Sequence, residues 1–330
     1  MMAPMSDPNQ LTQFFNLTPD AVLAGVDSAG FRTTGEYLQL NSYENRVFDV
    51  RLEPGEIAER LIVKYYRPQR WNRQALLEEH FFLEELKSQG IPAVAPMPQA
   101  NQETLSSYRG IYLAVFPKAI GRMPQEMSLA DLNQVGRLLA RLHNIGEQQE
   151  SKARPTLNVE TYGWPALEIL KSWVAPEMWS RYETAAITIL EYLEDHLNED
   201  QFFRIHGDCH RGNLLQQDTR EGDRGFFFVD FDDFCTGPAA QDFWMLLSGD
   251  PETLAEEKEA LLSGYEELRH FPPEQHQLLM PLRGLRIIHY GAWIARRWSD
   301  PSFPQIFPDY ETYTYWAEET EALERIAWSL

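Results

Sequence analysis

The chain has 330 residues, enough for one large domain or two lobes, and its 43% hydrophobic and 24% charged residues are the make-up of a globular protein with a real core. A formal net charge of −21 argues against nucleic acid or an anionic membrane as the main partner, because both would repel it. Two cysteines exclude a disulfide framework, no apolar run nears the roughly 20 residues that span a bilayer, and MMAPMSDPNQLTQFF lacks the basic-then-apolar order of a signal peptide, so a soluble cytoplasmic protein is expected.

In chain order, residues 39–56 place the turn-forming NSYEN before an alternating stretch (Val47, Phe48, Val50, Leu52) and a Pro-Gly turn, the pattern of a strand. RLIVKYYRP (60–68) predicts a second strand that stops at Pro68. WNRQALLEEHFFLEELKSQG (71–90) predicts a helix, with Lys87 in its last turn and Gly90 just past it. IPAVAPM is extended and YRGIYLAVFP (108–117) is another strand, which completes a compact α+β region.

Beyond Pro117 the spacing turns helical. Residues 128–146 offer Ser128 as an N-cap, apolar residues at helical spacing and a closing glycine, and 161–198 continue in that style. RIHGDCHRGNLL (204–215) then runs through the polar loop QQDTREGDRG into FFFVDFDD (226–233), a predicted hairpin. The remainder is mostly helical. A seam between a small β-rich lobe and a larger helical one is expected near residues 116–124.

The hairpin gathers Asp208, Asn213 and Asp230: two carboxylates and an amide oxygen. All are hard oxygen donors, the set magnesium takes together with substrate phosphates. Phosphoryl transfer also needs a carboxylate that orients or deprotonates the attacking hydroxyl. Asp208 suits that task, with Asn213 and Asp230 for the metal. Phosphates call for a cation as well. Lys64 lies on the second strand, and Glu79 follows on the helix as its ion-pair partner, with Glu78 as the rival.

This order of Lys–Glu, H-G-D-x-x-x-x-N and D-x-D resembles the aminoglycoside phosphotransferase and choline kinase group of the protein-kinase-like fold. NSYENRV, VKYYRP with Trp71, GDCHRGN, VDFDD and GPAAQDFWMLLSGD are similar, more narrowly, to the bacterial Ser/Thr protein kinases of the stress response, over roughly residues 35–310. The resemblance implies an α+β, bilobal fold: residues 1–117 a β-rich nucleotide-binding lobe and 118–330 a mainly helical catalytic and substrate lobe. It implies Asp208 as proton acceptor, Asn213 and Asp230 on Mg2+, Ser42 at the nucleotide, and Lys64 with Glu79 positioning the phosphates. It implies ATP as co-substrate and a Ser/Thr protein acceptor, the chain itself included. Neither nucleic acid nor membrane is expected as a partner, and the chain is expected to act as a monomer.

Two departures from eukaryotic protein kinases stand out. NSYEN replaces the glycine-rich loop, and Asp230 is followed almost at once by Gly237-Pro238, which leaves no room for a long activation segment. His206 is expected to hold the loop by packing, and Asp242 to brace it. Arg211 is open to a phosphate or a surface role, and Asp232 to a metal or a solvated one. Other readings stay in play: a small-molecule kinase for choline, homoserine or aminoglycosides, a pseudokinase scaffold, and a zinc protein built on His206, Cys209, His210 and Cys235.

Overall fold

A computed structural model describes residues 8–218, 224–248 and 252–330. The chain divides into two compact units, one running through Arg122 and taking in Phe227–Val229, the other holding Met123–Phe226 and Asp230–Leu330.

The first unit contains α1 (Pro8–Phe15), α2 (Pro19–Ser28), β1 (Thr33–Leu40), β2 (Arg46–Leu52), β3 (Arg60–Tyr65), α3 (Arg73–Ser88), β4 (Ser106–Tyr108) and β5 (Ile111–Pro117). Its antiparallel sheet has the order β1-β2-β3-β5-β4. Side chains alternate faces along a strand, so Leu61, Val63 and Tyr65 of β3 join Phe14, Val22, Val26, Phe48, Val50, Leu113 and Val115 in one core. The Tyr65 hydroxyl donates to Val22 O at 2.7 Å and ties the sheet to α2. Lys64 therefore belongs to the opposite face. Asn72 caps α3 by accepting from Ala75 N at 2.8 Å, and Leu76, Phe82, Leu83 and Leu86 bury its inner face.

The second unit begins with α4 (Leu129–Gly146), α5 (Trp164–Leu170) and α6 (Pro176–His196). Then come β6 (Phe203–Ile205), β7 (Leu214–Asp218), β8 (Arg224–Phe228, its last two residues counted with the first unit), β9 (Cys235–Gly237) and α7 (Ala239–Met245). It closes with α8 (Leu254–Glu266), α9 (Pro273–Arg297), α10 (Phe303–Ile306) and α11 (Tyr313–Ala327). Ser128 and Asp131 form a reciprocal capping box at the start of α4. β6 pairs antiparallel with β9, Ile205 opposite Cys235. β7 and β8 form a two-stranded ribbon. So short a connection joins only antiparallel strands, which returns Asp230 to the end of the ribbon where Asn213 stands. The centre of the polar loop, 219–223, lies outside the described residues.

The N-terminal helices and β1 were not expected from the sequence. β1 is an edge strand exposed along most of its length, so it carries no alternation to read. No described helix is long and apolar enough to cross a membrane.

Candidate active site

In the first unit, Lys64 Nζ lies 3.4 Å from Glu79 Oε1, and the two side chains are 9% and 1% exposed. Between Glu78 and Glu79, the partner of Lys64 is thus Glu79, which sits on the buried face of α3 while Glu78 is half-buried. Removing one member of a buried pair strands the other charge, at a cost of about 3–5 kcal/mol, so the two hold each other in place. NSYEN is the turn between β1 and β2. Glu44 stands 3.5 Å from Arg67 Nε and 3.7 Å from Arg70 Nη1, and Asn45 Oδ1 accepts from Arg67 N at 3.1 Å. These bonds fasten one half of the turn to the chain after β3. Ser42 stays half-buried and Tyr43 exposed at its tip.

In the second unit, the loop between β6 and β7 carries Asp208 and Asn213, and Asp230 follows β8. The loop turns at Gly207, whose φ of +80° suits glycine, and a Cβ there would lie 2.3 Å from Asp233 O. Asp242, fully buried at the start of α7, grips the loop backbone: Oδ2 accepts from His206 N and Oδ1 from Gly207 N, both at 2.8 Å. His143 Nε2 lies 3.1 Å from Asp242 Oδ2, and the Tyr265 hydroxyl 2.9 Å from His143 Nδ1. Burial, opposed in part by Asp242, lowers the His143 pKa and favours the neutral ring. A carboxylate only accepts, so the His143 proton sits on Nε2 and Tyr265 donates to Nδ1. The brace expected of Asp242 is present. His206 does the packing expected of it, its ring 4.3 Å from that of Phe231.

Asp208 is the charged centre of the loop. Its Oδ1 accepts from Arg286 Nη2 at 2.8 Å. Its Oδ2 lies 3.3 Å from Asn213 Nδ2 and 3.5 Å from His210 Nε2. Burial alone would raise its pKa, but Arg286 first, then His210 and His206, outweigh burial and hold the carboxyl well below the usual range. Asn213 Nδ2 also donates to Asp208 O at 2.9 Å, so the amide nitrogen faces Asp208 and Oδ1 is the atom left for a cation. Asp230 is exposed, in a left-handed conformation (φ 60°, ψ 68°) that non-glycine residues adopt at a cost of about 1–3 kcal/mol. An amide oxygen and an exposed carboxylate at one end of the ribbon are the hard donors a magnesium ion takes.

Arg286 was not anticipated. It lies 78 residues beyond Asp208, inside an apolar helix, and only its place among Leu285, Ile287 and Ile288 hints at a role. Arg154, also unread, is buried, and its guanidinium donates to Phe234 O at 2.9 Å, to Phe231 O and to Asp232 O. It fixes the turn that follows Asp230. Asp232 is 3% exposed, which corrects the solvated reading. Arg211 takes neither expected role: Nε donates to Leu246 O at 2.7 Å and Nη2 pairs with Glu257 at 2.9 Å, tying the loop to α7 and α8. Among the described residues no three His, Cys, Asp or Glu side chains form a metal cluster. His206, Cys209, His210 and Cys235 therefore do not come together as a zinc site, and both cysteines are free and buried.

His289, one turn beyond Arg286 on α9, has its pKa pushed down to about 3 by burial first, then by Arg286 and Arg296, against Asp233. The unfolded chain takes up this proton near pH 6.5, whereas the folded chain does not until about 3. Stability present above pH 6.5 is therefore lost as the pH falls through that window, by roughly 1 kcal/mol per pH unit. Thermal denaturation between pH 7 and 4.5 is expected to show a shallower fall in Tm for His289→Gln than for the parent. Parallel curves would sink this assignment.

The sequence profile of the phosphotransferase enzyme family matches residues 36–278. Stress response kinase A of Escherichia coli K12 is 36% identical over 315 residues, covering 94% of this chain and 93% of that protein. Serine/threonine protein kinase RdoA of Salmonella typhimurium is 34% identical over 310 residues, covering 93% of this chain and 92% of that one. Among solved structures, a microcompartment-associated aminopropanol kinase superposes with a TM-score of 0.74 at 21% identity, over 94% of this chain and 98% of its own. An amicoumacin kinase, solved in complex with AMP-PNP, Ca2+ and Ami, superposes at 0.73 and 16% identity, over 93% of each chain. These likenesses carry the fold, the α+β, bilobal kinase-like architecture expected from the sequence.

Proposed function

The chain belongs to the phosphotransferase enzyme family, and from that premise we propose that it moves the γ-phosphate of ATP to a Ser or Thr hydroxyl of a protein, as part of a bacterial stress response. The observation that carries the reaction is Asp208: an ionised carboxylate held on both oxygens, on a loop whose backbone Asp242 fixes. The acceptor and the stress role rest on the relatives named as stress response and Ser/Thr protein kinases.

The acceptor hydroxyl donates a hydrogen bond to Asp208. Its oxygen forms the new bond to Pγ while the bond from Pγ to the bridging oxygen breaks, and ADP leaves with that electron pair. A carboxylate so weakly basic is an orienting group first. It takes the proton late, when bond formation has made the hydroxyl acidic. Asn213 Oδ1 and the Asp230 carboxylate would hold Mg2+, whose chemistry when bound is to neutralise phosphate charge. In the first unit Lys64, steadied by Glu79, offers an ammonium to the phosphates, and Ser42 lies at the turn that meets the nucleotide. Catalysis is then positioning and charge neutralisation. Residues 118–330 act as the catalytic and substrate lobe, 1–117 as the nucleotide lobe, and the chain as a monomer in the cytoplasm.

The test is to incubate the purified protein with magnesium and γ-labelled ATP, adding a generic protein to one set and small alcohols to another. Label on Ser or Thr is expected. Label confined to a small alcohol would overturn the protein acceptor and leave a metabolite or antibiotic kinase.

A further inference from the structure

Resting on the reading that Asp208 orients the acceptor hydroxyl, we propose that Arg286 selects the acceptor: the hydroxyl to be phosphorylated stands beside an anionic group, a carboxylate or phosphate, that Arg286 binds. The guanidinium is already at the reacting position, with Nη2 2.8 Å from Asp208 Oδ1, and the side chain is 28% exposed. Among the described residues Asp208 is its only carboxylate partner. One of its nitrogens is engaged there, while the planar fork has further N–H groups of the kind that pair two-pronged with a carboxylate or phosphate.

Arg286 heads a strip along α9. Its guanidinium lies 5.3 Å over the Tyr290 ring, Tyr290 stacks on Trp293 at 5.3 Å and 9°, and Arg297 lies 4.8 Å over Trp293. Steps of four, three and four residues keep these side chains on one face of the helix. Stacking limits the freedom of each group, so less order has to be imposed when an acceptor arrives. The charge of the helix agrees. Its 25 residues hold Arg283, Arg286, Arg296 and Arg297 against the single acid Glu274, in a chain whose net charge is −21. The carboxylate that would attract a cationic alcohol is compensated by Arg286. An amino alcohol would bring its ammonium beside a guanidinium, where like charges in a partly buried site repel. An acid beside the hydroxyl meets a ready partner.

The experiment compares kcat/KM across matched acceptors in two arms. One arm uses Ser peptides identical except for Glu, Gln or Lys beside the Ser. The other uses glycerate, glycerol and ethanolamine. In at least one arm the anionic member is expected to lead the neutral one by about tenfold or more, and the arm that does so identifies the source of the anion. Arg286→Gln is expected to cut the anionic-to-neutral ratio at least tenfold, and Arg286→Lys to retain part of it. A parent ratio near one, or label on no anionic acceptor, overturns the proposal. So does an Arg286→Gln loss that is equal for every acceptor, since Arg286 would then only hold Asp208. Asp208→Ala runs alongside. Transfer that survives in that variant sinks the role of Asp208 itself, a result distinct from an unchanged ratio in Arg286→Gln.

Discussion

Asp208→Ala is expected to lower kcat by roughly 10²–10⁴-fold while the KM for ATP changes by less than about threefold. The asymmetry follows from what the side chain touches. Its partners are Arg286, Asn213 and His210, so its removal takes away the group proposed to aim the acceptor hydroxyl and leaves the side chains of Lys64 and Asp230 in place. Asn213 keeps its bond to Asp208 O in the variant, because a backbone carbonyl survives the substitution. The parent's pH profile is a second readout. Arg286, His210 and His206 overcome the effect of burial and keep the carboxyl ionised far below neutrality. The acid limb of kcat/KM is therefore expected to show no inflection from Asp208 between pH 5 and 7 (the window where a catalytic carboxyl of raised pKa would titrate). Steady-state kinetics of parent and variant decide it. Full activity in Asp208→Ala, or an acid limb that only this substitution removes, would reverse the role given to it.

Many of the candidate residues in each unit were legible because short-range rules place them. The alternation of Leu61, Val63 and Tyr65 dictates that Lys64 points away from their core, and the helical run ending at Gly90 places a glutamate opposite. Two apolar runs around a polar loop announce the ribbon that carries Asn213 and Asp230. What the sequence hid are partners brought in from afar. Arg286 meets Asp208 across 78 residues and Arg154 meets Phe231 across 77, and no periodicity within either helix or loop encodes such a meeting. Arg211 shows the reverse error. Its place in a polar loop suggested an anion or the surface, yet it is consumed by Leu246 O and Glu257, because a buried carbonyl and carboxylate need a donor. Asp232 reads from its spacing as a weaker metal group or a solvated one, and the solvated reading fails because the residue is 3% exposed, next to the buried Phe231 and with its carbonyl bonded by Arg154.

Asp242→Ala tests whether the loop is held from behind. Asp242 touches no reacting group in the proposed reaction, yet it accepts two backbone N–H bonds, from His206 and Gly207, and faces His143, all in a fully buried setting. Each stranded buried donor costs about 1–3 kcal/mol, and the neutral His143 loses its acceptor as well. A total near 3–5 kcal/mol is expected, enough to lower Tm by roughly 10 °C. Asp242→Asn separates charge from shape. Its amide keeps one acceptor but turns a donor toward either His206 N or Gly207 N, so it is expected to destabilise nearly as much despite matching the carboxylate in volume. Activity should fall in both variants at temperatures where they remain folded, because Asp208 follows Gly207 directly and inherits any shift of the loop. A variant with unchanged Tm and unchanged kcat would mean that β6–β9 pairing alone fixes the loop, and that the chain from Tyr265 through His143 to Asp242 only fills the core.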